Sequence, residues 1–430
     1  MARLHDLIPA LTEGSAPLDA NRLRSHFGAV ADATFDLTCS QDLDAARELA
    51  EVLGRDRTSA VALAELESEL VATRDEVPLA VHLAVKLARS RALLVEHGGP
   101  LFLSVVFAVY KEHERILTAD EHPFGEDFLD RKLAQLEWLL AGLSGMDFEL
   151  VVVDDGCPCA SGEVVAAKAA ALGERGARVR VLSLAEAIDS GHCVTAGLNS
   201  TDESRKGGSV ALGMWEAAAA KHPGHVVLFT DADLSTHLGQ CGLLAAPVLA
   251  GHLVAIGSRR HEHSVVIKGG ARNDRGKLFI YLWKGLLAPL TAITDTQCGF
   301  KAFDARILPK ILDGMIERQF AFDIELMLRA QLERPDDTGV IERVAVAWFD
   351  SEALSTTTDL QPYLAMLKKA AMMYRRYLPP TPEADELAAF IEELDEDRWQ
   401  ALLAAIPSAI TERDPRDFGD WRGVTPDELR

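Results

Sequence analysis

From Met1 to about Arg91, apolar residues recur with a helical period among Ala, Leu, Glu and Arg, most regularly over residues 43–53 and 61–70. This stretch predicts an all-helical extension. Gly98, Gly99 and Pro100 interrupt the pattern, after which the chain turns to short apolar runs rich in Val and Phe. Runs at residues 101–109, 149–153, 178–182, 225–230 and 253–256 predict buried strands, and the segments 130–143, 163–171 and 209–219 predict helices between them. Strands alternating with helices imply a mostly parallel sheet covered on both faces, with ligands at the carboxyl ends of its strands. Helices and a late strand at residues 344–348 follow from Lys277 onward. Beyond Pro379 and Pro380 the chain is acidic and helical over 387–406, then ends in a charged tail from Thr411 to Arg430. The expected division is a helical extension (1–98), an α/β domain (99–378) and an acidic helical tail (379–430).

Composition narrows the function. An apolar fraction of 48% and a charged fraction of 26% are those of a globular protein. Forty-four basic against 66 acidic residues give a net charge of −22, which argues against a nucleic-acid partner. The six cysteines are scattered, and no basic region followed by an apolar core opens the chain, so a cytoplasmic setting is expected. The longest apolar stretch, residues 243–256, is interrupted by Pro247, Gly251 and His252, and no transmembrane helix is expected.

Two acidic clusters stand at the ends of predicted strands. Asp231 and Asp233 flank Ala232 after the run 226–230, an arrangement that holds a divalent ion, Mg2+ or Mn2+, against a diphosphate, although such triplets also occur as solvated turns. Asp154 and Asp155, followed by Gly156, either accept hydrogen bonds from a base and ribose or cap a helix in a tight turn. Arg205, Lys206, Gly207 and Gly208 precede a predicted helix, which suits an anion at a helix N-terminus or an ordinary loop. Arg259 and Arg260 close a strand, facing either phosphate or surface carboxylates. Cys157 and Cys159, without a second ligand pair, do not form a zinc motif. His252, His261 and His263 read as loop or surface residues.

These motifs, taken in order with the block from Asp295 to Lys301 and with Phe320, Ala321, Phe322, Asp323, Ile324 and Glu325, resemble the family-two glycosyltransferases of GT-A fold, a Rossmann-like sheet flanked by helices. The nearest likeness is to dolichyl-phosphate β-glucosyltransferases, and it covers about residues 101–377. The resemblance implies that Tyr110 and Glu112 contact nucleotide, with Lys111 where the family has Asn, and that Asp154 and Asp155 contact base and ribose. It further implies that Lys206, Gly207, Asp231, Ala232 and Arg259 meet the donor, and that Asp231 and Asp233 hold the metal. Either Arg272 or Arg275 would supply an Arg ahead of the acceptor-side helix, and Asp295 would stand beside the acceptor as its base.

The expected activity is therefore inverting transfer of glucose or a related sugar from a UDP-sugar. The membrane anchor usual in dolichyl-phosphate enzymes is not visible here, which points to a soluble small-molecule acceptor, with a polyprenyl phosphate as the runner-up. Two rivals of other classes are a sugar nucleotidyltransferase and a non-catalytic nucleotide-binding scaffold. The first lacks its Gly-rich loop, since residues 107–115 contain no Gly, and the second does not need all four acidic positions. The N-terminal helices offer a surface for homo-oligomers, for covering the acceptor cleft, or for a partner.

Overall fold

The computed structural model describes residues 7–9, 11, 17–28, 40–267, 273–349, 362–419 and 421–430. Ahead of the sheet come helices α1 (Ala20–Phe27), α2 (Ser40–Asp56), α3 (Ala60–Val71) and α4 (Leu79–His97). The order then runs β1 (Leu101–Val109), α5 (Phe128–Leu140), β2 (Met146–Asp154), α6 (Ser161–Ala171), β3 (Val179–Ser183), α7 (Leu184–Asp189), α8 (Gly207–Ala218) and β4 (His225–Thr230). It continues with α9 (Cys241–Leu249), β5 (Val254–Ser258), β6 (Val265–Ile267), α10 (Asn273–Leu286), β7 (Phe300–Asp304), α11 (Leu308–Leu312), α12 (Phe322–Leu332), β8 (Ile341–Ala345) and β9 (Ala347–Phe349). Helices α13 (Tyr363–Tyr377), α14 (Pro382–Glu393) and α15 (Glu396–Ala404) follow, with short helical turns after them.

Seven strands form one sheet in the order β3-β2-β1-β4-β7-β5-β8. Its pairings are parallel except that β7 runs antiparallel to both β4 and β5. Strands β6 and β9 make a separate parallel pair. The sheet divides two cores, as the period of two along β1 shows: Leu103, Val105 and Phe107 enter one and Val106 the other. The first core also takes the apolar faces of α1 to α5 and α9, and the second those of α8, α10 and α12 to α14.

The helical extension thus shares a core with the sheet. Helix α4 is buried on almost every side, between α2 and α3 on one flank and α9 on the other. It stops where Gly98, with φ of 59°, donates its N–H to the Leu94 carbonyl, a left-handed C-cap that glycine adopts without a Cβ clash. Lys86 of α4 is fully buried, pairs with Glu67, and reaches across to donate to the His263 carbonyl oxygen at 2.8 Å. Arg89 closes on the other Glu67 oxygen at 2.8 Å.

Several elements differ from the sequence expectation. Strand β7 falls in the motif block from Asp295 to Lys301 and beyond it, where no strand is expected: its residues Phe300, Lys301, Ala302, Phe303 and Asp304 include two buried charged groups and so do not look like an apolar run. The late strand divides into β8 and β9, which join different sheets. The helix expected over 387–406 breaks at Leu394, and Asp395 caps the next one by accepting from Arg398 N–H. The charged tail packs down: Phe418 is buried, Tyr281 donates to the Val424 carbonyl at 2.7 Å, and Trp421 lies 5.2 Å from the Tyr281 ring.

His82 on α4 sits at the junction between extension and core, its Nε2 3.2 Å from the Arg74 carbonyl oxygen. Burial holds its pKa down at about 4, well below the ordinary imidazole value of 6.5. A depressed base contributes stability above the unfolded value and loses it as pH falls through the folded one. Thermal stability is therefore expected to fall between pH 6.5 and about 4, by up to about 3 kcal/mol for this residue. Melting curves of the wild type and His82→Gln across that range check this: the variant should show a shallower pH slope.

Candidate active site

Four parallel strands end along one edge of the sheet, and the residues after them meet there: Tyr110 after β1, Asp155 after β2, Asp231 after β4 and Arg259 after β5. The turn Asp231-Ala232-Asp233 is held from beneath by Lys132 of α5. This side chain is fully buried, and its ammonium donates to the Asp231 carbonyl oxygen at 3.1 Å and to that of Asp233 at 2.8 Å. It lies 5.4 Å from the Phe107 ring centroid. Burial lowers its pKa to about 8, and the two carboxylates oppose that fall. Asp233 Oδ1 accepts the Ser235 N–H at 3.0 Å, which orients one carboxylate of the pair.

Asp231 is ion-paired with Lys206, which precedes α8. Burial acts to raise its pKa, but Lys206, Lys132 and Arg259 outweigh burial and leave the carboxyl below its ordinary value. Gly299, just before β7, is required here: a Cβ at that position would lie 2.3 Å from Asp231 Oδ2.

Glu112 faces the same turn. Burial pushes its pKa up to about 7 against the pull of Arg115, and the charges of Asp233 and Glu126 add to the rise. Arg115 donates to Glu112 Oε2 at 3.0 Å and forks onto both oxygens of Glu126. Crowding of negative charge around Asp233 is the electrostatic condition that a bound cation relieves. Among the described residues no group of three or more His, Cys, Asp or Glu side chains forms a metal site by itself. The donor set of two carboxylates on one short turn fits a hard divalent ion that takes its remaining ligands from phosphate oxygens or water. Tyr110 is 44% exposed at the rim, with Lys111 Nζ 5.5 Å from its ring, and offers a face for a base.

Other expected residues are occupied by the protein itself. Asp154 accepts from Cys157 N–H at 2.8 Å and Gly162 N–H at 2.7 Å, so it closes the turn into α6. Asp155 accepts from Ser204 and Ser209 hydroxyls at 2.8 and 2.6 Å and from Lys206 N–H at 2.9 Å, fixing the turn into α8. That helix start does not open onto a ligand cleft: Arg205 N–H and Gly208 N–H both donate to the Arg318 carbonyl oxygen, and a Cβ on Gly207 would lie 2.6 Å from the Gln319 carbonyl oxygen. The cation facing the site is the Lys206 side chain.

Asp295, expected to stand beside the acceptor as its base, is bound by Arg259. Both of its oxygens are engaged by Arg259, through Nε at 2.9 Å, NH2 at 2.8 Å and the backbone N–H at 2.7 Å. Burial would raise its pKa, but Arg259 overrides that and holds the carboxyl well below the usual range, the opposite of what a general base needs. Arg259 lies 5.0 Å from the Trp348 ring. Arg275 lines a separate cavity with Tyr363, Lys368 and Trp399, and Arg272 lies outside the described residues.

Residues without an assigned role in the sequence complete the cluster. Lys301 of β7 is fully buried 5.2 Å from the Phe229 ring and donates to Asp323 Oδ2 at 2.9 Å, while Gln297 donates to Asp323 Oδ1 at 2.8 Å. These three lie within the motif blocks after Asp295 and Phe320. Lys132 lies in no motif, and its signal was only a cation on the buried face of an amphipathic helix.

A mostly parallel seven-stranded sheet flanked by helices is the architecture of the GT-A fold. No family model matches the chain. A dolichyl-phosphate β-glucosyltransferase of Drosophila melanogaster is 30% identical over 294 residues, 66% of this chain and 78% of that protein. The Homo sapiens dolichyl-phosphate β-glucosyltransferase is 26% identical over 284 residues, 64% of this chain and 76% of its own length. The chain belongs to the family-two glycosyltransferases of GT-A fold that include the dolichyl-phosphate β-glucosyltransferases. Among solved structures, glucosyl-3-phosphoglycerate synthase from Mycobacterium tuberculosis aligns with a TM-score of 0.44 and 18% identity, over 69% of this chain and 85% of that one, a level from which nothing about activity follows.

Gly299→Ala should displace the Asp231 carboxylate from Lys206 while leaving both cores intact. The expected result is a melting temperature within a few degrees of wild type and at least a tenfold loss of Mn2+-dependent UDP affinity. Calorimetric titration alongside a thermal melt checks both.

Proposed function

We propose that this glycosyltransferase moves a hexosyl group from a UDP-sugar, by direct displacement with inversion, onto an acceptor whose nucleophile is a phosphate oxygen. The observation that carries the donor half is the Asp231-Ala232-Asp233 turn, held by Lys132 and facing Lys206. Asp231 and Asp233 would hold Mg2+ or Mn2+, which when bound offsets the charge of the departing diphosphate. Lys206 is placed to pass from Asp231 to a phosphate oxygen once a cation occupies the carboxylates. Tyr110 offers its face to the base, Glu112 adds negative charge beside the cation, and Arg259 presents a guanidinium fixed by Asp295.

The acceptor half rests on two supports. A phosphate oxygen is already anionic and needs no base to remove its proton, and Asp295, the carboxylate expected to be that base, is committed to Arg259. The relatives are named for dolichyl phosphate as acceptor, which favours the polyprenyl-phosphate reading over the soluble hydroxyl acceptor expected from the sequence. No helix among the described residues is long and apolar enough to cross a membrane. In this reading Asp295 is a positioning residue for Arg259.

UDP is expected to bind with Mn2+ and to lose at least tenfold in affinity in EDTA, and the double variant Asp231→Asn, Asp233→Asn should lose that metal dependence. Calorimetry with and without Mn2+ decides; equal affinity in EDTA removes the metal from the proposal.

Asp295→Asn removes the charge and leaves a single acceptor oxygen for Arg259 in place of two. The expected outcome is a lowered melting temperature, with a pH–rate profile for transfer unchanged in shape. A stable variant that loses a hundredfold or more in transfer, together with the acidic-limb pKa of the profile, would restore Asp295 as a base.

A further inference from the structure

Beside Arg259 lies a cavity of about 520 Å³. Five cationic side chains line it, Arg74, Arg259, Arg260, Lys277 and Arg416, against the carboxylates of Glu262 and Asp414. In a chain of net charge −22 this is a local reversal of sign, and gathering like charges costs free energy unless an anion joins them. Two of the five are neutralised locally, Arg259 by Asp295 and Arg416 by Asp414. Arg260 makes no ion pair or hydrogen bond among the described residues, and Arg74 reaches into this wall only with a long bond of 3.4 Å to the Glu262 carbonyl oxygen.

The walls come from three parts of the chain. Arg74 belongs to the helical extension, and the Glu262–His263 segment beneath it is anchored by buried Lys86 of α4 through the His263 carbonyl. Asp414, Pro415 and Arg416 belong to the C-terminal segment, and Lys277 of α10 is tied to it through the Thr411 carbonyl oxygen. Val266 and Pro415 are the apolar members among the described lining residues.

We propose that this cavity binds a phosphomonoester, the charged end of the acceptor, and that the segments before and after the sheet-bearing part complete it. Guanidinium groups pair with phosphate oxygens in a planar fork, and two of them here are available to do so. The assignment of the bound group to an acceptor rests on the reading of the neighbouring Asp231 turn as the donor site.

The test is calorimetric titration of the full chain with glycerol phosphate, at ionic strength held constant with chloride, and in parallel with a short isoprenyl phosphate. Wild-type protein should bind glycerol phosphate. The double variant Arg74→Gln, Arg260→Gln should bind it at least tenfold more weakly, with the Mn2+-dependent affinity for UDP unchanged. Equal affinity for the two esters assigns the pocket a soluble acceptor, and a hundredfold preference for the isoprenyl ester assigns it a lipid-borne one; both support the pocket. No binding to wild type, or equal binding to the double variant, overturns it. If the double variant melts early, Arg260→Gln alone supplies the comparison. Phosphate binding in a protein that does not bind UDP would overturn the donor reading and leave the pocket standing.

Discussion

Two carboxylates two positions apart on one turn, Asp231 and Asp233, repel each other and solvate well, so left alone they would not keep a fixed shape. The ammonium of Lys132 supplies the constraint. It sits in the apolar layer under the sheet and binds the main-chain oxygens of the turn rather than its carboxylates, which leaves the side chains free to face outward. A buried ammonium without such partners would be several kcal/mol out of balance, so the turn and the lysine stabilise each other. Gly299 and Lys206 then fix Asp231 from the other two sides.

The strands most legible in the sequence are those whose environment is simplest. Strands β1 and β4, neighbours in the middle of the sheet, are buried on both faces, so they appear as unbroken apolar runs, and their ends match the expected residues. Strand β7 hides because it carries two buried charged groups, Lys301 paired with Asp323 further along the chain and Asp304 with the neighbouring Arg306, and hydrophobic pattern carries no information about such pairs. The same limit applies to the site. The order of the acidic pairs along the chain was visible, but whether a carboxylate followed by glycine binds a ligand or its own loop depends on which amides turn back towards it. For Asp154 those are Cys157 and Gly162, and for Asp155 they include groups about fifty residues away. Lys132 illustrates the remaining gap, since a lysine among leucines on a helix reads as a surface residue until the tertiary fold supplies its acceptors.

The parts flanking the sheet illustrate a related point. Their helical period was readable, but not what their apolar faces cover. Helix α4 is enclosed by its neighbours and by α9, and the C-terminal residues fold back on α10 through Tyr281, Phe418 and Trp421. Both ends of the chain therefore reach the same region near Arg260, joined by Lys86 on one side and Lys277 on the other.

Strand β7 sits between β4 and β5 although it is made after both. During synthesis, a nascent chain that has emerged only as far as β5 has a gap in its sheet, with the inner edges of β4 and β5 unpaired. Gly299 and Lys301 arrive with the strand that fills it, and Asp323 follows some twenty residues later. The ribosome must therefore release more than three hundred residues before the Asp231 turn acquires its full surroundings, so the finished geometry of this turn is a late event in synthesis.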